Sequence, residues 1–157
     1  MQFCDYLAAE WRPALGCTEP ACLAYAASLA AGQAAGAVRE VRVTCDPRMY
    51  KNCYAVGIPH SGQKMGIRWA AALGAFLRDP SAGLQIFRQI TPEVLADAGA
   101  LLDAGGVSVT TDPSLQALYV DCRVRREGGE GRAVIAGEHT RLVRLERNGE
   151  SVPLAEE

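Results

Sequence analysis

A thiol, a hydroxyl and a carboxylate stand in a row at Cys17-Thr18-Glu19, inside the stretch Pro13-Ala14-Leu15-Gly16-Cys17-Thr18-Glu19-Pro20. Pro13 and Gly16 break a preceding helix, because proline fixes φ and glycine tolerates conformations that other residues avoid. Thr18 or Glu19 then caps the next helix, with Pro20 in its first turn, where a missing N–H costs nothing. Cys17 is thereby placed at a helix N-terminus. There the macrodipole favours an anion, and the thiolate is the nucleophilic, metal-binding form of cysteine. The same spacing suits a helix-breaking loop whose cysteine only packs, and spacing alone leaves both readings standing.

Other reactive side chains are sparse. His139 lies between two strand patterns in Gly137-Glu138-His139-Thr140, and His60 lies in Pro59-His60-Ser61-Gly62. A turn histidine is most often a plain surface residue, although its titration near neutrality suits proton transfer. No His/Cys pair recurs at the separation of a zinc site. Ser61 lacks the strand–turn–helix frame of a nucleophile elbow. Lys51 and Lys64 are the only two lysines, and every other basic residue is arginine. Lys51 is a candidate base or anion anchor, while Lys64 reads as a solvated loop charge.

The elements that must position these groups can be read from periodicity. Residues 2–12 carry Phe3, Leu7 and Trp11 at the spacing of one helical face. Residues 21–35 form a second helix, apolar on nearly every side (Leu23, Ala26, Ala27, Ala30, Ala34), which predicts burial. Residues 38–45 alternate as a half-buried strand. Residues 46–66 lose periodicity apart from a short helix over 51–56, and a long irregular passage is more often functional than idle. Helices follow over 67–77, 81–90 and from Thr91-Pro92-Glu93 to the Gly105-Gly106 stop. From Val107 onward the period becomes two: strands at 107–110, 118–125, 133–135 and 141–147, with a turn at 128–131. Asn148-Gly149 is a hairpin signal returning a last strand over 150–154. The fold expected is α+β, with helices packed on a mainly antiparallel sheet and a C-terminal β-meander, in a single domain over 1–157.

Composition narrows the class. The chain has 157 residues, 49% hydrophobic and 6% aromatic, so small alanines fill the core. A net charge of −2, with no basic stripe, argues against nucleic acid. No stretch reaches the roughly 18 consecutive apolar residues of a membrane span. No basic region precedes an apolar run at the N-terminus, so the expected location is the cytoplasm. Six cysteines, at 4, 17, 22, 45, 53 and 122, form no C-x-x-C pair and read mostly as buried thiols.

The opening octapeptide resembles the signature of the L-cysteine desulfidase family, the otherwise uncharacterised UPF0597-type proteins, relatives of the iron–sulfur L-serine dehydratases. The resemblance continues in Met49-Tyr50-Lys51-Asn52 with Val56-Gly57-Ile58-Pro59, in Ala70-Ala71-Ala72-Leu73-Gly74, in Ala82-Gly83-Leu84, in Gly105-x-Val107-x-Val109 and in His139-Thr140. It covers residues 10–150. The family's Pro-Gly-Thr-Gly reads Pro59-His60-Ser61-Gly62 here, and its Gly-Gly-His-Thr reads Gly137-Glu138-His139-Thr140. Its members are much longer, so the resemblance equates this chain with their N-terminal half and leaves out the serine-dehydratase-alpha-like half. The fold implied is the beta-type domain of the iron–sulfur serine dehydratases.

The resemblance implies a 4Fe–4S cluster with Cys17 as one ligand and the others on the alpha-like half, so this chain alone is not expected to hold it stably. It further implies a lyase of amino-acid catabolism, eliminating the β-substituent of L-cysteine (to sulfide, ammonia and pyruvate) or of L-serine. Lys51, Asn52 and His139 are the candidate catalytic residues, for binding carboxylate or moving protons. Thr18, Glu19, Ser61 and Thr140 are the candidates for binding substrate. The implied partners are the alpha-like half or subunit and a small amino acid. Two other readings remain: a non-catalytic amino-acid-binding, regulatory or structural module, and a chain that self-associates through an exposed apolar face.

Overall fold

Alanine at six of the thirteen positions of Glu19–Ala31 helps make a helix, α1, that neighbours approach closely. Ten of its thirteen residues are buried. The computed structural model describes residues 18–54, 56–116 and 118–154, with α1 at the centre of the helical layer. The helix expected over 2–12 and the loop through Cys17 lie outside the described residues. Helix α1 packs on α3 (Ile67–Gly74) and on strands β3 (Tyr119–Arg126) and β4 (Gly129–Ala136). Two glycines permit this. A Cβ at Gly131 would meet the Ala30 carbonyl, and one at Gly74 would stand 2.6 Å from Ala24 Cα. The one polar side chain sunk into this helix, Ser28, donates to the Leu77 carbonyl at 2.6 Å, so its burial costs no unmade hydrogen bond.

Helix α1 stops at Ala31, four residues short of the apolar run. Arg126 reaches across from β3, donating to the Ala31 carbonyl at 2.9 Å and the Gly36 carbonyl at 2.7 Å. Strand β1 (Val38–Cys45) follows, then α2 (Pro47–Cys53), four residues earlier than the helix expected over 51–56. Asp46-Pro47, at the head of the aperiodic passage, starts it: Asp46 is the N-cap and accepts from Met49 N–H at 2.8 Å, with Pro47 in the first turn. Residues 80–89 form a 3-10 helix (Pro80–Gln89) kinked at Gly83. Helix α4 (Pro92–Asp103) begins as its N-cap signal predicts, with Thr91 Oγ1 accepting from Val94 N–H at 3.1 Å.

The sheet has the order β2-β1-β3-β4-β5-β6, with β2 at Val107–Thr111, β5 at Leu142–Arg147 and β6 at Glu150–Ser151. Strands β1 and β2 pair in parallel, and all other pairs are antiparallel. The fold is therefore α+β with a mixed, mostly antiparallel sheet. The turn expected over 128–131 is tighter, because β4 already begins at Gly129. Asn148 and Gly149 both take positive φ in the last hairpin.

One row of alternating residues (Val41, Val43, Cys45, Val120, Cys122, Val124, Ala133, Ile135) is buried under the helices. The opposite row is charged. Arg132 binds the Asp121 carboxylate with two nitrogens, at 3.0 and 2.7 Å, and Glu146 at 2.9 Å; Arg144 joins Glu146 at 3.1 Å. These pairs cross β3, β4 and β5 and tie the strand register from the solvent side.

Candidate functional site

Thr18 occupies the cap position of α1, yet its own backbone is already helical (φ −86°, ψ −17°) and its side chain caps nothing. The hydroxyl turns outward and meets His139 Nε2 at 3.0 Å, across 121 positions of sequence. This corrects the expectation that the residue serves as a conventional cap. His139 arrives on the β4–β5 loop, which is closed by Ala136 N–H to the Arg141 carbonyl at 3.1 Å and Gly137 N–H to the Leu118 carbonyl at 3.0 Å.

Glu19, the next residue, brings Oε2 to 3.6 Å from the same imidazole nitrogen. Asn52 Nδ2 donates to that carboxylate oxygen at 3.3 Å. Thr18, Glu19, Asn52 and His139 thus converge from the start of α1, from α2 and from the β4–β5 loop. Cys17, immediately before this group in sequence, lies outside the described residues. Lys51 neighbours Asn52 on α2 and Thr140 neighbours His139; both are exposed, and Lys51 makes no ion pair among the described residues.

Asp46 fixes where Asn52 stands. It is fully buried, and its two carboxylate oxygens accept from Met49 N–H and, at 2.7 Å, from Tyr119 N–H. Its backbone N–H donates to the Tyr119 carbonyl at 3.1 Å. One side chain therefore starts α2 and pins it to the first residue of β3. Sequence reading passed over Asp46, although Asp-Pro carries the same start signal as Thr91-Pro92.

Ser61 does something other than line the group. Its hydroxyl is buried, donates to the Ile58 carbonyl at 2.6 Å and accepts from Lys64 N–H at 3.0 Å, so its hydrogen bonds are spent in its own turn. Lys64 lies over the Trp69 ring, 5.0 Å from its centroid, and so has a packed partner.

The chemistry open to the group follows from which atoms meet. With Nδ1 protonated, Nε2 accepts from the Thr18 hydroxyl; with both nitrogens protonated, Nε2–H faces two oxygens, Thr18 Oγ1 and Glu19 Oε2. The surroundings therefore suit the ring before and after it takes a proton. Thr18, His139 and Glu19 do not make a nucleophile–base–acid triad, because its acid must hold the opposite ring nitrogen, whereas Thr18 and Glu19 share Nε2 here.

Thiols in the described structure are poorly suited to hold a metal. Among the described residues no group of three or more His, Cys, Asp and Glu side chains is placed to bind one. Burial pushes the Cys22 thiol far up, with the Glu19, Asp46 and Cys45 charges adding to it. Cys45 is pushed up to about 12 by burial and by Asp46, and burial raises Cys122 strongly. These thiols stay protonated, whereas an iron–sulfur cluster needs thiolates. Cys17, the one cluster ligand that the resemblance implies on this chain, lies outside the described residues.

No family's sequence model matches the chain, and no solved structure does. Curated relatives do. A UPF0597 protein of Geobacter sulfurreducens is 40% identical over 98% of this chain and 36% of its own length. One from Shewanella baltica is 38% identical over 96% of this chain and 35% of its own length. The UPF0597 protein YhaM of Shigella sonnei is 41% identical over 87% and 31%, respectively. The similarity supports a place with the UPF0597 proteins, and the chain spans about a third of the length of these relatives.

Proposed function

We propose that this chain, related over nearly its full length to UPF0597 proteins, is one part of an amino-acid lyase acting on L-cysteine or L-serine. The observation that carries the reading is the convergence of Thr18, Glu19, Asn52 and His139, with Cys17 the residue before Thr18 in sequence. In the reaction a base takes the α-proton and the C–S or C–O bond breaks, its electron pair leaving with sulfur or oxygen. The aminoacrylate that remains tautomerises and hydrolyses to pyruvate and ammonia. His139 Nε2 is the proton acceptor, where Thr18 and Glu19 oxygens stabilise the imidazolium formed. Glu19, held by Asn52, is also the anion suited to a substrate ammonium, and Lys51 and Thr140 at the margin suit its carboxylate.

The resemblance adds a 4Fe–4S cluster with Cys17 as one ligand and the rest on an alpha-like partner. Cys17 would hold one corner of it, and the cluster would supply a Lewis acid for the leaving sulfur or oxygen. Activity then requires the remaining two thirds of the relatives' length, as a partner or as continued chain.

The test is anaerobic co-expression with the remainder of the Geobacter sulfurreducens relative, iron–sulfur reconstitution, and assay of sulfide and pyruvate from L-cysteine and L-serine. Activity should appear only in the complex, vanish in Cys17→Ala and fall at least about 100-fold in His139→Gln. Undiminished turnover in His139→Gln would refute the assignment of the base.

A second reading, a non-catalytic amino-acid-binding module, draws on a different feature. A groove of about 850 Å³ at the far end of α1 combines apolar walls (Ala31, Phe76, Leu101) with Arg78 and Asp97, charges of both signs that suit a zwitterion. Amino-acid binding that survives His139→Gln and is lost in Arg78→Ala, without turnover in any preparation, would favour it.

A further inference from the structure

The two most exposed large apolar side chains among the described residues lie in one place. Tyr54 is 64% and Met65 51% exposed. Tyr54 ends α2, and Met65 pairs with Gly57 across the hairpin that follows. The two segments approach each other, since a Cβ on Gly66 would stand 3.2 Å from the Tyr54 carbonyl.

This patch is presented rigidly. Ile58 N–H donates to the Lys64 carbonyl and Gly66 N–H to the Val56 carbonyl, each at 3.0 Å, and the buried Ser61 hydroxyl binds both limbs of the turn. His60 and Gln63 are held at positive φ, 65° and 80°, at the tip. Tyr50 backs Tyr54 with ring centroids 5.9 Å apart. A fixed aromatic and a methionine on a pre-ordered support cost little entropy to bury against another protein.

Lys51 lies between the patch and the polar group on α2. At roughly 100° per helical residue, α2 presents Tyr54, then Lys51 about 60° around, then Asn52 about 100° further. Lys51 thus sits on the seam between the apolar patch and Asn52, which holds Glu19. On the other side of that seam the polar group is partly open, with the His139 side chain 33% and that of Glu19 20% exposed.

We propose that Tyr54 and Met65 anchor the polypeptide corresponding to the two thirds of the relatives' length that has no counterpart here, and that its docking closes the polar group over Lys51. The occupant is argued from the relatives, of which this chain covers 36% and 35%, and from the position of Lys51 between the patch and the polar group. The unpaired Lys51 calls for an acidic group on the docked surface. The inference rests on the lyase reading for what the closed site does, but the docking itself is read by binding.

The experiment co-expresses the full chain with the remainder of the Geobacter sulfurreducens relative and measures complex formation by co-purification and, for recovered complexes, by competition with untagged chain. Wild type should bind. Tyr54→Ser with Met65→Ser should weaken binding at least about thirtyfold, with an unchanged circular dichroism spectrum and melting temperature. The milder Met65→Gln should weaken it less. Val143→Ser with Leu154→Ser, exposed apolar residues at the other end of the sequence, should leave binding intact.

Full binding by the folded double variant, or no complex with wild type, overturns the docking proposal. So does a wild-type homodimer in sedimentation that the double variant abolishes, since the occupant is then a second copy. Binding without turnover instead refutes the lyase reading and leaves the docking standing.

Discussion

Asp46 offers the sharpest test of how the polar group is held. Its carboxylate is fully buried and accepts two backbone N–H groups, from Met49 at 2.8 Å and Tyr119 at 2.7 Å. Truncation to Asp46→Ala leaves both amides without an acceptor. At about 1–3 kcal/mol per stranded group, the expected loss is about 4 kcal/mol. In Asp46→Asn one oxygen remains and an NH2 faces the other donor, so about 2 kcal/mol is lost. For a chain of this size each kcal/mol moves the melting temperature about 2–4 °C. The amide variant should therefore melt about 4–8 °C and the alanine variant about 8–16 °C below wild type. The surface cap Thr91, removed in Thr91→Ala, serves as a yardstick of about 1 kcal/mol. Thermal melts with urea titrations at constant m give the ranking. Hydrogen exchange should show faster exchange at Met49 and Tyr119. An Asp46→Ala variant melting within about 2 °C of wild type, or no lower than Thr91→Ala, refutes the reasoning.

Gly131→Ala drives a methyl into the Ala30 carbonyl, a backbone atom that cannot rotate aside, and should cost about 3 kcal/mol. Gly57→Ala, where nothing lies within 4 Å, should be near neutral in the same melts. Cys122, raised by burial, keeps its proton in the folded chain above the pH at which the unfolded thiol ionises. Its contribution is complete below about pH 8.5 and declines above it, by about 1.4 kcal/mol per pH unit. Urea titrations from pH 8 to 10 should therefore show a shallower decline in Cys122→Ala than in wild type.

Local signals were legible and non-local ones were not. Thr91-Pro92-Glu93 begins α4 as its sequence says, and Asn148-Gly149 makes its hairpin, because both are decided within a few residues. The parallel partner of β1 was hidden, since Val41 meets Val107 only through packing across the intervening helices. Thr18 misled for a related reason: a hydroxyl at a helix start has a local use, and only the returning β4–β5 loop offers it His139 instead. The resemblance pointed to Asn52 and His139, and the fold adds their common partner, the Glu19 carboxylate. Ser61 shows the opposite case, a hydroxyl consumed by its own turn.

The placement of β1 bears on the order in which the molecule assembles. Strands β3 to β6 are joined by short turns and can pair as soon as they are made, whereas both neighbours of β1 lie roughly sixty or more positions along the chain. Closing the sheet around β1 is the kinetically expensive step, and the polar group depends on it because α2 hangs from the end of β1. Thr18 and His139, 121 positions apart, then meet only once the sheet between them has closed. Their contact is therefore expected to form late in folding. An intermediate possessing only the hairpins would carry every residue of the group and none of its geometry.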